Sequence, residues 1–513
     1  MLVPEAAALL YRELIKIAAH ASWSHREQVT ALATLQERLF FELTKQEQLA
    51  FSTLFARISY AGHLYNMQSA TLRLVHGFRR TAARVRDGIA ATEQDMLLGI
   101  SAIAETVLLS SQVAIPSDVL EYLARRNHSA QPGVSAELWE YKSRARVVAV
   151  QDFPDDNYLL AIDEEDPAQP VKVRYGLPDR NENFNPTIQI IRKVFGFPVT
   201  LNLLEVDIDR LGFYRPRIFV VEPDYLMDVS AISECFKEYG AEPYYYLAKK
   251  FLPYETTEPI LLGNIANFFL DRLLTEPDAS WQTLFRESFR MFPFAYAPMN
   301  DKAVRELSGK AQKHYINLKA MASGGFAQQG IEPENSILEP TFFSEQYGIQ
   351  GRLDLFYKTD EKAAIVELKS GTPFKPNSYG IQRSHFTQTL LYDLLVRSVF
   401  GKQTDPVKYI LYSGADIQHL RFAPTVAPEQ WEALQLRNQL IALERLLGTI
   451  RPGDVQVPVF AKLRAAAAEG KGFLQRDFSR FETVYSNLST PERKYFNAYS
   501  GFIAREQWLA KAG

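Results

Sequence analysis

The sequence predicts a multidomain α/β protein, with an all-α N-terminal domain, a small β-barrel and a core in which helices flank a central mixed β-sheet. Three observations predict it. Over residues 1–135 Gly and Pro are scarce and apolar side chains recur three and four apart, as in HREQVTALATLQERLFFELTKQEQLAFSTLFARI, which is the period of an amphipathic helix. Over residues 136–228 the short β-type runs RARVVAVQDF, NYLLAID and VKVRYGL are parted by turn chemistry in DD, EEDPAQP and LPDRNENFNP. That spacing suits a barrel or a sandwich, a barrel of the oligonucleotide-binding kind among them. Over residues 229–425 helical stretches surround a hairpin, GIQGRLDLFYKTDEKAAIVELKSG, and a further strand, PVKYILYS, the pattern of a sheet covered by helices. Residues 426–513 read as a helical C-terminal segment.

Each element has its own signal. The opening MLVPEAAALLYRELIKIAAHAS is punctuated by Glu5, Arg12, Glu13 and Lys16, so it reads as an amphipathic helix and not as a secretory leader. The Arg-rich HGFRRTAARVR fits either a solvated helix face or a phosphate contact. The run PTIQIIRKVFG marks one helical insert among the barrel strands, which resume with TLNLLEVDI and RIFVVEPDYL. Helices return with SAISECFKEYG, EPILLGNIANFFLDRLL, SWQTLFRESFRMF and NDKAVRELSGKAQKHYINLKAMA. After the hairpin come RSHFTQTLLYDLLVRSVF and PEQWEALQLRNQLIALERLLG.

Composition narrows the function. A chain of 513 residues is too long for one ordinary core, so two to about four domains are expected. The net charge of −3 shows no bulk basic character, so any nucleic-acid surface must be a local patch. One cysteine, Cys235, excludes an internal disulfide, a Cys-based zinc site and a four-thiolate iron–sulfur cluster. It reads as a small buried hydrophobe. No run approaches the ~18 apolar residues of a membrane span, which points to a reducing, cytoplasmic setting without a membrane partner. There is no GxxxxGK[ST], so no P-loop holds a nucleotide.

The hairpin carries the chemistry. If LDLFYK pairs antiparallel with AAIVEL around TDEK, Lys358 faces Ala363 and Asp354 lies opposite Glu367. Directly opposed like charges destabilise a sheet, and a divalent cation removes the conflict. Glu367 and Lys369 are two apart and share a face, while Val366 and Leu368 point into the other layer. Two carboxylates with few nitrogen or sulfur donors describe a hard site for Mg2+ or Mn2+. With a Lys beside them, the chemistry implied is hydrolysis of a phosphodiester. Gln388 and Tyr392, at i and i+4 on the following helix, share a face beside the apolar stripe of Phe386, Leu390, Leu394 and Leu395. Lys375 and Arg383, in the loop between, are candidate DNA-backbone contacts or solvated cations.

GIQGRLD, IVELKSG and QTLLY together resemble the PD-(D/E)XK nuclease superfamily, in particular its RecB-like branch with a trailing QxxxY. Over residues 137–450 the chain resembles the nuclease half of bacterial relatives of the replication flap nuclease–helicase family, with FVVEPDYLMDVSAI, EPILLGNIANFFLDRLL and ILEPTFFSEQYGIQGRLDLF in support. The resemblance implies a metal-dependent deoxyribonuclease acting on single-stranded or flapped DNA, in replication, repair, recombination or defence. Asp354 and Glu367 would bind metal with the backbone carbonyl of Leu368 beside them, Lys369 would serve catalysis, and Gln388 and Tyr392 would complete the site. The barrel would grip DNA, with a superfamily 1 helicase as partner in cis or in trans. The ending STPERKYFNAYSGFIAREQWLAKAG, without a helix stop, reads as the front part of such a chain or as a form that works without the motor. Two departures stand out. Where relatives place a metal-binding His after a Gly-x-x-x spacing, LLGNIAN has Asn267, a weaker ligand. His314 reads as a substitute ligand or, on a charged helix, as a surface residue. The cluster-binding cysteines of many relatives are also absent, so Ser233 to Phe251 must be held by packing. A nuclease-fold module that binds nucleic acid or acts as a scaffold is the alternative to an active enzyme.

Overall fold

The computed structural model describes residues 2–47, 54–67, 69–86, 90–129, 138–238, 240–253, 255–401, 403–469 and 473–512. They form two compact units: residues 1–135 with 378–380 and 421–425, and the remainder of the chain.

The first unit is helical: α1 (Pro4–Ala18), α2 (His25–Thr44), α3 (Leu54–Leu64), α4 (Ser69–Arg86), α5 (Glu93–Ser111) and α6 (Ser117–Ser129). Local sequence sets two of the starts. The Ser24 hydroxyl accepts from the Glu27 N–H at 3.3 Å while the Glu27 carboxylate accepts from the Ser24 N–H at 2.7 Å. Thr92 and Asp95 repeat the exchange on α5, so orphan donors of both helix ends are satisfied. The axis of the unit is α5, whose Leu97, Ile100, Ile103 and Val107 are buried against Leu32, Leu39 and Phe78. A Cβ at Gly99 would stand 2.6 Å from the Phe78 ring, so only glycine lets α4 and α5 approach this closely.

The second unit begins with β1 (Leu138–Phe153), β2 (Tyr158–Asp163), β3 (Val171–Arg174), β4 (Val199–Asp209), β5 (Phe213–Arg215) and β6 (Ile218–Val221). Strand order β1–β2–β3–β5–β4, with β4 pairing back to β1, closes a five-stranded barrel, and β6 adds to β4. The strand β1 is long enough to pair with both β2 and β4, bending at a bulge between Ala149 and Gln151. Its inward Ala145, Val147 and Ala149 are buried. Small residues there leave room for Phe184 and Ile188 on α7 (Asn185–Ile190) and its flank, the expected helical insert.

Next come β7 (Met227–Asp228), α8 (Val229–Ser233), β8 (Phe236–Lys237), β9 (Gly240–Ala241) and α9 (Tyr244–Phe251). The segment expected to rely on packing does so. Cys235, Phe236, Leu247 and Ala248 are buried. Phe251 lies 5.4 Å from Phe460, 5.9 Å from Phe481 and 5.4 Å from Phe496. Helices α10 (Glu258–Thr275), α11 (Trp281–Met291), α12 (Pro293–Tyr296), α13 (Asp301–Ala320) and α14 (Phe326–Gln328) follow, then β10 (Ser336–Leu338), β11 (Thr341–Ser344), β12 (Ile349–Arg352), β13 (Leu355–Lys358) and β14 (Ala363–Lys369). After α15 (Arg383–Phe400) come β15 (Val407–Tyr412), β16 (Leu420–Phe422) and α16 (Ala427–Gly448), and the chain continues through α17 (Pro458–Glu469), α18 (Phe473–Asn487) and α19 (Thr490–Ala512).

The central sheet runs β10–β13–β14–β15–β16. It is mixed: β13 and β14 are antiparallel, whereas β14 and β15 are parallel and joined by way of α15. Strand AAIVELK is buried along nearly its whole length, as a strand covered on both faces must be. The hairpin register is the one read from the sequence, with Lys358 facing Ala363. One expectation is corrected. GIQGR does not run on into LDLFYK: β12 pairs with β11 and β7 in a separate three-stranded sheet. The chain breaks at Leu353–Asp354, where the Leu353 N–H donates to the Pro340 carbonyl and the Glu339 N–H donates to the Asp354 carbonyl.

Barrel and sheet are pinned by α16. The Arg437 guanidinium is fully buried and donates to the carbonyls of Gly348 at 3.1 Å, Glu222 at 2.8 Å and Tyr225 at 2.7 Å, and also to Val221. Asn438 accepts from the Val221 N–H at 3.1 Å and donates to the Phe219 carbonyl at 2.7 Å. Removing Arg437 strands several buried carbonyls at once. Arg437→Leu is therefore expected to cost at least about 3 kcal/mol in urea unfolding. Gly348→Ala should be destabilising too, since its φ is +63° and a Cβ would stand 2.4 Å from Arg437 Nη2.

Candidate active site

At the C-terminal end of β14, beside the β12–β13 break, a cleft of about 780 Å3 opens. Asp354, Glu367, Lys369, Gln388 and Tyr392 all line it, so these five predicted residues are brought together. Asp354 is half-buried and its Oδ2 accepts the Leu368 N–H at 2.7 Å. Glu367 is buried, and Lys369 Nζ donates to its Oε1 at 2.8 Å and to Gln388 Oε1 at 2.9 Å. Gln388 Nε2 donates to the Tyr392 hydroxyl at 2.9 Å, which in turn donates to the Arg352 carbonyl at 2.7 Å. The QxxxY spacing on α15 thus relays from the lysine back to the strand that leads into Asp354.

Electrostatics leave the cluster short of positive charge. Burial, and then the Glu367 carboxylate, push Asp354 well above the usual carboxylate range. Burial opposes the charge on Lys369, yet Glu367 and Asp354 outweigh it and raise the amine, which keeps it an ammonium. Burial and Glu367 also raise the Tyr392 phenol. Glu367 Oε2 is buried and receives no N–H from the described residues, leaving a protonated Asp354 carboxyl as the group beside it that could donate to Glu367. A buried carboxylate oxygen without a partner is costly. Beside a second acid, it is satisfied by a proton or by a hard cation.

A divalent ion fits this donor set. Among the described residues no group of three His, Cys, Asp or Glu side chains converges on one point. Mg2+ commonly takes one or two carboxylates and completes its shell with water and substrate phosphate. Asn267 does not line the cleft. It sits on α10 midway between Gly263, where a Cβ would be 3.4 Å from Ser370 Oγ, and Asp271. Burial and the Glu339 carboxylate raise Asp271 to about 6. That helix face, at spacings of four, therefore runs from the end of β14 toward the Glu339–Arg352 ion pair at 3.0 Å.

Other expectations change. Lys375 pairs with Glu238 at 2.9 Å, and Arg383 pairs with Glu432 at 2.9 Å, so both candidate DNA contacts are already engaged by acids. His314 is neither a surface residue nor placed as a ligand. It is buried, and its Nδ1 lies 2.9 Å from Ser413 Oγ. The Ser413 N–H in turn donates to the Lys369 carbonyl at 3.0 Å. The cleft also holds residues that sequence reasoning passed over: Arg352, Lys249 and Lys250 on α9, Lys511 on α19, and Tyr225 and Tyr245. The pair of lysines after three tyrosines in YYYLAKK was the signal available for them.

Burial lowers His314 to about 4, with the neighbouring Lys313 charge adding to it. Above its ordinary pKa of 6.5 the imidazole is neutral in both folded and unfolded chains. Below that the unfolded chain takes up a proton that the folded chain refuses. Stability therefore falls as pH drops through the interval from 6.5 to about 4, by about 3 kcal/mol for this residue, and then levels. His314→Gln should flatten that part of a urea-midpoint profile measured between about pH 7 and about pH 4.5.

Comparison with known proteins agrees with the geometry. Residues 236–468 match the family model of the PD-(D/E)XK nuclease superfamily. No curated protein matches the chain. The solved structures that match include a candidate exonuclease from Eubacterium rectale, at 13% identity and a TM-score of 0.31, covering 43% of this chain and 81% of that one. A likeness that low has no bearing on mechanism.

Proposed function

We propose that this chain, whose residues 236–468 match the PD-(D/E)XK nuclease superfamily model, hydrolyses phosphodiester bonds of single-stranded or flapped DNA with Mg2+ or Mn2+ seated on Asp354 and Glu367. The observation that carries the reading is the buried Oε2 of Glu367, which receives no N–H, beside the half-buried Asp354, whose carboxyl is held well above its usual range. Asp354 and Glu367, with the Leu368 carbonyl beside them, would hold the ion, and Asn267, which does not line the cleft, would reach it only through water. When bound, such an ion lowers the pKa of its water and neutralises charge on the phosphate.

The chain's own groups supply the rest. The Lys369 ammonium, fixed by Glu367 and Gln388, puts a positive charge and N–H donors where a pentavalent phosphorane gathers negative charge. Gln388 and Tyr392 hold that ammonium in place. Lys249 and Lys511, which line the cleft, can bind flanking phosphates. A RecB-like, cytoplasmic role in replication or repair, beside a superfamily 1 motor that delivers the strand, fits this chemistry.

Digestion of end-labelled flap DNA in Mg2+ or Mn2+ tests the reading. Asp354→Ala and Lys369→Ala should each lose at least ~1000-fold in rate, and Tyr392→Phe roughly ten-fold. Parent-like rates in both of the first two variants would show that the site is misassigned. A readout without catalysis also exists. Mn2+ at about a hundred times its Kd should stabilise the parent by about 2.7 kcal/mol and leave Asp354→Asn unmoved. Without metal, Asp354→Asn should be at least as stable as the parent because the like-charge conflict is gone. Asn267 favours a second reading, a nuclease-fold module that binds strands without cutting them. Intact strand affinity with no cleavage in either metal would establish that one.

A further inference from the structure

The outward face of α19 is apolar where the solvent side of a helix is ordinarily polar. Tyr495, Tyr499, Phe502 and Leu509 follow one another four, three and seven residues apart and so share one side of the helix. They are 72%, 54%, 49% and 64% exposed. The opposite side, with Asn497, Ser500, Gly501 and Ala504, is buried. A Cβ at Gly501 would stand 2.5 Å from the Ile450 carbonyl, so α19 is seated closely on the stretch that follows α16 and cannot turn its stripe inward. The Tyr495 and Tyr499 rings lie 6.0 Å apart with 4° between their planes, and Phe502 lies 6.5 Å from Tyr499. At the N-terminal end of this stripe a groove of about 620 Å3 opens, lined by Phe251, Phe481, Val484, Leu488, Pro491 and Tyr495.

The charges at the rim of the groove are already engaged within the chain. Arg480 pairs with Glu255 at 2.7 Å, and Glu492 accepts the Ser489 N–H at 2.8 Å. What the groove offers an occupant is therefore apolar surface. With Val484, which is 66% exposed, the stripe leaves roughly 600 Å2 of side chain open. That is at the upper end for an apolar patch on a monomer and is most of the ~800 Å2 that each partner gives to a standard interface. The arrangement is also self-complementary. Leu509, a projecting side chain, and the groove stand at opposite ends of one helix, so a second copy laid antiparallel presents both features in reverse order and fills both at once. Reversing α19 about a point between Ser500 and Gly501 sets Tyr499 against Phe502 of the second copy, Leu509 against the groove wall at Pro491 and Glu492, and Tyr495 against Glu506. Glu506 is the acid that interrupts the stripe. Among the described residues neither its carboxylate nor the Tyr495 hydroxyl has a partner, and in this register the hydroxyl donates to the carboxylate.

We propose that the occupant of this face is a second copy of the chain: α19 pairs antiparallel with α19 about a two-fold axis between Ser500 and Gly501, and Leu509 of each copy seats in the groove of the other. The pairing does not depend on the proposed nuclease function. It does adjoin that site, because Gln507 and Lys511 of the same helix line the cleft, so the contact braces a helix that forms part of the cleft wall.

Sedimentation equilibrium of the full chain is the test. Between about 0.1 and about 50 µM the parent should pass from the chain mass of 58.4 kDa toward twice that mass, with a Kd on the order of micromolar, as an interface somewhat below standard area allows. Tyr499→Glu/Phe502→Glu places charge at the centre of the contact and should raise Kd at least ~100-fold, and Leu509→Glu at its end about ten-fold or more. All three positions are exposed, so far-UV circular dichroism should stay parent-like in each variant. The register has its own readout. Cys235 is the single cysteine and is buried, so a mixture of Tyr495→Cys and Glu506→Cys chains under mild oxidant should form a disulfide-linked dimer in several-fold excess over either variant by itself. A parent that stays monomeric up to about 50 µM, or a Tyr499→Glu/Phe502→Glu variant that dimerises as the parent does, would overturn the pairing. Cross-linking of each cysteine variant with itself as readily as in the mixture would overturn the antiparallel register.

Discussion

The position of the cleft depends on one buried guanidinium. Arg437 satisfies carbonyls from the end of β6, from the link into β7 and from the turn before β12. Those three stretches are the barrel's exit, the wall that carries Tyr225, and the strand that delivers Asp354. An arginine suits the position because five N–H donors leave one planar group in several directions at once, which no ammonium can match. The burial that makes the pin also strains it. Desolvation lowers Arg437 to about 9, with Glu222 and Asp224 partly compensating, and Glu222 is itself pushed up by burial. The cation is kept by backbone carbonyls, and its departure would leave several of them dry.

Two clusters of buried acids on α15 and its sheet partners can be compared directly. Asp393 accepts from Arg397 at 3.1 and 3.0 Å, from Lys408 at 3.2 Å and from Gln430 at 2.9 Å. Burial pushes this carboxyl up, yet Lys408 and Arg397 outweigh burial and hold it below its ordinary range. The cluster is balanced and structural. One turn away on the same helix, Gln388 belongs to a cluster in which two acids share one ammonium and one carboxylate oxygen receives no N–H. A fold that can satisfy Asp393 so fully has the means to satisfy Glu367. The two clusters thus differ in charge balance, and it is the unbalanced one that lines the cleft.

How much of this was legible in the sequence follows physical range. Local and short-range features were. The antiparallel register of β13 and β14, the pairing of Gln388 with Tyr392 and the barrel strands all rest on periods of two or 3.6 residues and on turn chemistry. The kink at Leu353–Asp354 was not, because the extended run GIQGRLDLF gives no local sign that its halves join different sheets. Lys375 and Arg383 looked available because their partners Glu238 and Glu432 lie far off in sequence. His314 looked exposed on a charged helix, and only the docking of α13 against Ser413 buries it. Arg437 sits in LQLRNQL, where the helical period alone cannot tell a snorkelling cation from a buried one.

The last constraint is the net charge of −3. A chain with more acids than bases repels nucleic acid at long range, and Lys142, Arg146, Arg180, Arg192 and Arg217 of the barrel are engaged by its own carboxylates. Any hold on a polyanion would then fall to short-range contacts with local cations. In the cleft those cations are Lys249 and Lys511. A phosphate approaching Asp354 and Glu367 would therefore be drawn by these few lysines at close range and not by the charge of the chain as a whole.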